Sequence, residues 1–76
     1  MGVSLEHYTD RNQTLRYEDA TATIAYIGLA AIGASESAPM WQIKRLDSTT
    51  GVDVRWADGN AEFDNVWANR ASLTYI

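Results

Sequence analysis

From residue 52 to residue 57 the chain alternates without a break. Val52, Val54 and Trp56 fall on one side, and Asp53, Arg55 and Ala57 on the other. A period of two predicts a half-buried strand with its charges outside. The stretch from Met40 to Leu46 has the same character. Trp41 and Ile43 share a side with Arg45, while Met40, Gln42, Lys44 and Leu46 share the other. Between the two runs, Asp47-Ser48-Thr49-Thr50-Gly51 reads as a hairpin loop with glycine near its end. Upstream, residues 21 to 32 carry Thr21, Thr23, Ile24, Tyr26, Ile27 and Ile32, whose β-branched or aromatic side chains favour strand. The segment Leu29-Ala30-Ala31-Ile32 suits a helical turn equally by propensity. We read it as strand, because no N-cap precedes it and Gly28 and Gly33 bracket it. Gly28 sits inside this pattern, and a glycine there weakens a strand and often marks a bulge or a close backbone approach. Leu15 and Tyr17 alternate with Arg16 and Glu18, which adds a short strand. Gly33 to Pro39 is a loop of small residues.

The period changes after the turn pair Asp58-Gly59. Phe63, Val66, Trp67 and Arg70 follow the spacing i, i+3, i+4, i+7 of one helix face. Asn60 is a candidate cap, and Glu62 and Asp64 would sit in a first turn, where the helix dipole favours acids. This predicts a short helix over about 61–69. Ser72, Thr74 and Ile76 then alternate with Ala71, Leu73 and Tyr75 as a last strand. The fold class expected is mainly β: a small twisted antiparallel sheet, or a partly open barrel or sandwich, of 4–5 strands. One short helix precedes the last strand. The expected core is Ile24, Tyr26, Trp41, Ile43, Val52, Val54, Trp56, Phe63, Val66, Trp67, Leu73 and Tyr75. Residues 1–76 form a single domain in this reading, with residues 1–14 a flexible or docking arm.

Composition tells how such a sheet is stabilised. At 76 residues, a chain buries only about 60% of its unfolded surface, so its core is marginal alone. Disulfides, a metal or oligomerisation are the usual remedies. There is no cysteine and a single histidine, His7, which leaves no disulfide and no zinc site of the thiolate or multi-histidine kind. Three Trp, four Tyr and one Phe suit either a dense aromatic core or a contact surface. The net charge of −4 argues against nucleic acid as a partner. The start, MGVSLEHYTD, lacks the basic and apolar regions of a signal peptide, and no run reaches the ~20 residues of a membrane helix. Neither secretion through a signal peptide nor a membrane partner is expected.

Two stretches imitate functional motifs. Asp58, Asn60 and Glu62 occupy positions 1, 3 and 5 of a calcium loop, but Phe63 stands where its glycine belongs and Asn69 where its closing glutamate belongs. A turn with a cap explains the same oxygens, and a weak cation site over Asp58–Asp64 is left open. Gly28 to Ser35 fits a phosphate loop except that Ala34 replaces the lysine, the residue that carries the charge. No nucleophile lies near His7 in sequence. An enzyme, a cofactor and a small-molecule substrate are therefore not expected. Tyrosine is enriched at interfaces, and the candidate partner contacts are Tyr8, Tyr17, Arg45 and Tyr75.

One resemblance adds to this reading. Tyr26-Ile27-Gly28, then Trp41, Ile43 and Lys44, then the ending from Trp56-Ala57-Asp58-Gly59 through Phe63-Asp64-Asn65 and Trp67 to Asn69-Arg70-Ala71-Ser72-Leu73-Thr74-Tyr75 resembles a group of short proteins encoded by tailed bacteriophages. The likeness covers roughly residues 20 to 76. It implies a virion-associated structural or accessory protein of the tail, an adaptor or the capsid. Such a protein would act through contacts with other virion proteins and by homo-oligomerisation, and brings no catalytic residues. Two alternatives remain: a small phage effector that inhibits a host protein, and a receptor- or glycan-binding module built on the tryptophans.

Overall fold

The computed structural model describes residues 13–76. The predicted arm over residues 1–14, with His7 and Tyr8, lies outside them except for Gln13 and Thr14, which belong to the first strand. The chain is mainly β, in the order β1 (Gln13–Asp19), β2 (Ile24–Ala31), β3 (Pro39–Asp47), β4 (Asp53–Trp56), β5 (Asn65–Val66) and a 3-10 helix (Trp67–Ser72). The sheet runs β1-β2-β3-β4, open at both ends, with β5 on β3. Every pairing is antiparallel.

Local chemistry closes the turns. The Thr21 hydroxyl accepts from the Thr23 and Ile24 amides at 3.2 and 3.0 Å, tying the first hairpin. Asp47 accepts from the Thr49 amide at 2.9 Å and hydroxyl at 2.6 Å, opening the second. Those two bonds hold the Asp47 carboxyl below its ordinary range, the hydroxyl contributing most. Asp58 and Gly59 both have positive φ, 60° and 74°, the conformation an Asp-Gly pair accepts most readily in a tight turn.

Register sorts the side chains into two faces. On one lie Thr14, Arg16 and Glu18 of β1, Tyr26, Gly28 and Ala30 of β2, and Trp41, Ile43 and Arg45 of β3. This face is covered by the 3-10 helix and the residues after it, which supply Trp67, Leu73 and Tyr75 to a core with Tyr26, Ala30, Trp41, Ile43 and Ala57. The molecule is accordingly a thin slab, 35 × 31 × 19 Å. The centre of the core is one contact. A Cβ on Gly28 would stand 2.5 and 2.6 Å from Trp67 Cε3 and Cζ3, and 3.2 Å from Trp41 Cε3. Trp67 therefore rests on bare backbone. The glycine marks a close approach, but of a side chain and not of backbone.

The short helix before the chain end is present, but shifted. Residues 61–64 are irregular, Asn65 and Val66 form β5, and the helix begins at Trp67. The cause is the edge of β3. This strand has nine residues, and β4 pairs with only Lys44 to Asp47. Backbone groups at its other end need partners, and Asn65 and Val66 provide them opposite Trp41 and Pro39. Asn60 does cap an amide, that of Glu62 at 2.9 Å, within a loop and not at a helix start. The last strand reduces to an isolated bridge between Tyr75 and Ala57.

The core expectation needs correction at four residues. Val52, Val54 and Phe63 are 77%, 48% and 44% exposed, and Trp56 is only half-buried. Ala57 is the reason for the two valines and the tryptophan. Its amide donates to the Ile43 carbonyl at 2.9 Å, and its methyl is in the core. Alternation then sends Trp56 and Val54 to the opposite face. Phe63 is exposed because no helix carries it inward.

Gly28→Ala is expected to destabilise the fold by about 1–3 kcal/mol, since the new methyl must displace an indole. Urea unfolding measures it. In a Trp67→Ala background the same substitution should cost much less, because the obstructing ring is gone.

Candidate interaction surface

The four partner-contact candidates do not form one site. Tyr8 lies outside the described residues. Tyr17 is 61% exposed, on the uncovered face. Tyr75 is in the core, its ring 5.8 Å from that of Tyr26, and its hydroxyl donates to the Arg70 carbonyl at 2.7 Å. Arg45 is half-buried on the covered face, with its guanidinium 5.0 Å over the Tyr75 ring. Its Nε is enclosed and has no hydrogen-bond partner among the described residues.

The covered face ends in alternating ionic and aromatic layers. Glu36 accepts from Arg16 Nε at 3.0 Å, and Arg16 lies 5.7 Å over Trp41. Trp41 stacks tilted against Trp67 at 5.8 Å. Arg70 lies 4.6 Å over Trp67 and donates from Nε to Glu18 at 2.7 Å. The Arg70 bond lowers the Glu18 carboxyl and raises the guanidinium in turn. In a 3-10 helix, residues three apart eclipse each other, and this places Arg70 on Trp67. The geometry explains why Trp41 and Trp67 offer no stacking platform: both indole rings are sealed by neighbours.

Among the described residues, the other face has no such cover beyond the Ala61 carbonyl, which accepts from Gln42 Nε2 at 2.8 Å. Register lays it out in three rows. Leu15 stands beside Leu29 and Gln42. Tyr17 stands beside Ile27, Lys44 and Trp56. Asp19 stands beside Ala25, Leu46 and Val54. Met40 extends the face along β3. Leu15, Tyr17, Met40 and Val54 are exposed, and Ile27, Leu29, Leu46 and Trp56 are half-buried by one another. The Lys44 ammonium lies 5.2 Å over the Trp56 ring. A largely apolar sheet face of this kind, broken here only by Gln42, Lys44 and Asp19, is the usual mark of a contact surface. Alternation along β1 had assigned Leu15 and Tyr17 to one side. What it lacked was any sign of which side the chain end would cover.

Among the described residues, no three His, Cys, Asp or Glu side chains come together in a group able to hold a metal ion. In the Asp58–Asp64 stretch, Asn60 Oδ1 accepts from the Glu62 amide and Asp64 Oδ1 accepts from Asn65 Nδ2 at 3.3 Å. No helix among the described residues is long and apolar enough to cross a membrane. Compared with family models, curated proteins and solved structures, the chain matches none.

Burial pushes the Tyr75 hydroxyl up to about 12. In the unfolded chain a tyrosine ionises near ~10. The stability held by the neutral phenol is therefore complete below about 10, and is lost as pH rises from there through about 12. Tyr75→Phe should cost about 1 kcal/mol at pH ~8, from the lost bond to Arg70. The cost should shrink at pH ~11, where the wild type alone carries the ionisation penalty. Denaturant unfolding of both proteins at the two pH values measures the difference.

Proposed function

We propose that this chain is a non-enzymatic structural or accessory component of a tailed-phage virion, belonging to the tail, an adaptor or the capsid surface, and that it works through protein–protein contacts. The observation that carries the contact part is the uncovered apolar face of the sheet. A sheet with one face packed and one solvated normally alternates apolar with polar. Here the solvated face carries Leu15, Tyr17, Ile27, Leu29, Met40, Leu46, Val54 and Trp56. Burial of that face adds the apolar contact that a one-layer cover leaves out. The virion part is supported by the resemblance of residues 20 to 76 to short phage proteins, and by the suitability of small assembling domains for repeated particles.

The glycan-binding alternative loses support from the geometry, because Trp41 and Trp67 are core residues and Lys44 lies over Trp56. The host-effector alternative shares the same face and differs in where the protein goes after synthesis. Mass spectrometry of purified phage particles separates them. The chain should be present at a fixed ratio to the major virion proteins and should survive washing in high salt. Absence from particles, with capture of one host protein from lysate, overturns the virion reading.

A further inference from the structure

We infer that the uncovered face of the β1-β2-β3-β4 sheet is an isologous interface, and that its occupant is a second copy of this chain packed sheet against sheet. The inference deepens the assembly reading above and rests on it for the premise that the face is meant to be buried. Two observations select the occupant.

The first is charge. The chain carries −4 overall, but the open face carries only Lys44, near its centre, and Asp19, at its β1 margin. The face is neutral, with one cation and one anion on different strands. A two-fold operation gives each patch its own complement, because Lys44 of one copy can approach Asp19 of the partner subunit, and the reverse. A surface of phosphates would find one lysine against an acidic remainder. An acidic partner would meet Asp19 as well as Lys44. Self-association is the pairing in which the charges balance without a foreign complement.

The second is area. Leu15, Tyr17, Met40 and Val54 are 43%, 61%, 47% and 48% exposed and lie on one face, so the apolar area open to a partner is contiguous, as an interface of about 1,200 Å² in total requires. The face also lacks devices that would keep a second sheet away. It has no proline, and its only lysine is folded down on Trp56. Sheets that pack face to face interdigitate apolar side chains about 10 Å apart, which suits the rows of leucine, isoleucine and valine found here.

Sedimentation equilibrium of the full chain should show a monomer–dimer transition with nothing larger. Leu15→Glu and Val54→Glu alter side chains that are exposed in the single copy, so each should fold and raise the dimer dissociation constant more than about tenfold. Ile32→Glu, 62% exposed but outside the rows, should leave it unchanged. Lys44→Glu and Asp19→Lys should each weaken the dimer, and the double charge swap should restore it. Circular dichroism checks that each variant retains its sheet. A monomer at every concentration up to about millimolar overturns the inference, including one in which residues 1–12 of the same chain occupy the face. So does a dimer indifferent to Leu15→Glu, or one that the charge swap does not restore. A monomer that is still found in phage particles sinks the dimer and spares the virion reading. A dimer absent from particles does the opposite.

Discussion

The fold is organised by the seat of one indole ring on one glycine. Trp67 lies so close to β2 that any side chain at Gly28 would occupy its space. From that seat it meets Trp41, which is fully buried. A buried tryptophan typically holds ~3–5 kcal/mol against truncation to alanine. Such a contribution is a large share of the stability of a domain this small. Other contacts follow from that position. With Trp67 placed, the Ala68 amide reaches the Glu36 carbonyl at 2.9 Å, fixing the loop after β2. Arg70 reaches Glu18 on β1, and Tyr75 returns to β4 through Ala57. The last ten residues thus tie β1 and β4, the two outer strands, across one face.

How much of this could be read from the sequence depended on what kind of information each feature carries. Strand pairing is local, and β2, β3 and the second hairpin followed from β-branched runs and an Asp-to-Gly loop. Gly28 was legible as a bulge or a close backbone approach, but not as the seat of an indole ring. The choice of face was not legible. In and just before β4, the apolar residues Val52, Val54 and Trp56 pointed to a core that is on the other side, because Ala57 decides the matter through its bond to Ile43. In the run from Phe63 to Arg70 the helical spacing was real, but unpaired backbone on β3 claimed Asn65 and Val66 first. Both errors have one origin. Periodicity reports which residues lie together, whereas burial depends on pairings formed by residues far away in the chain.

The same limit explains why the open apolar face emerged only from the structure. Of the described residues singled out beforehand, Tyr17 stands in the open rows, whereas Arg45 and Tyr75 pack against each other on the covered face. Tyrosine and arginine are common both in interfaces and in aromatic-ionic layers of the kind found here. Residue type alone cannot separate the two roles. Row membership can, because it depends on register.

The two faces also solve opposite electrostatic problems, and this bears on how an apolar surface can stay open without aggregating. Three ion pairs lie among the described residues, Arg16–Glu36, Arg55–Asp53 and Arg70–Glu18, and each has a member on the covered face of the sheet. Most charges there are paired within one chain, Arg45 lying instead over the Tyr75 ring. On the open face Lys44 and Asp19 stand two strands apart, on β3 and β1, and neither is among those pairs. The acidic surplus of the chain must therefore lie at the edges and in the loops, where Asp58, Glu62 and Asp64 are exposed. Like charges at the rim oppose stacking in most orientations, while a neutral centre leaves face-to-face approach unopposed. Under the proposed self-association, this distribution of charge restricts contact by direction: the face would close on a complement of the same shape, and the rim would resist further growth.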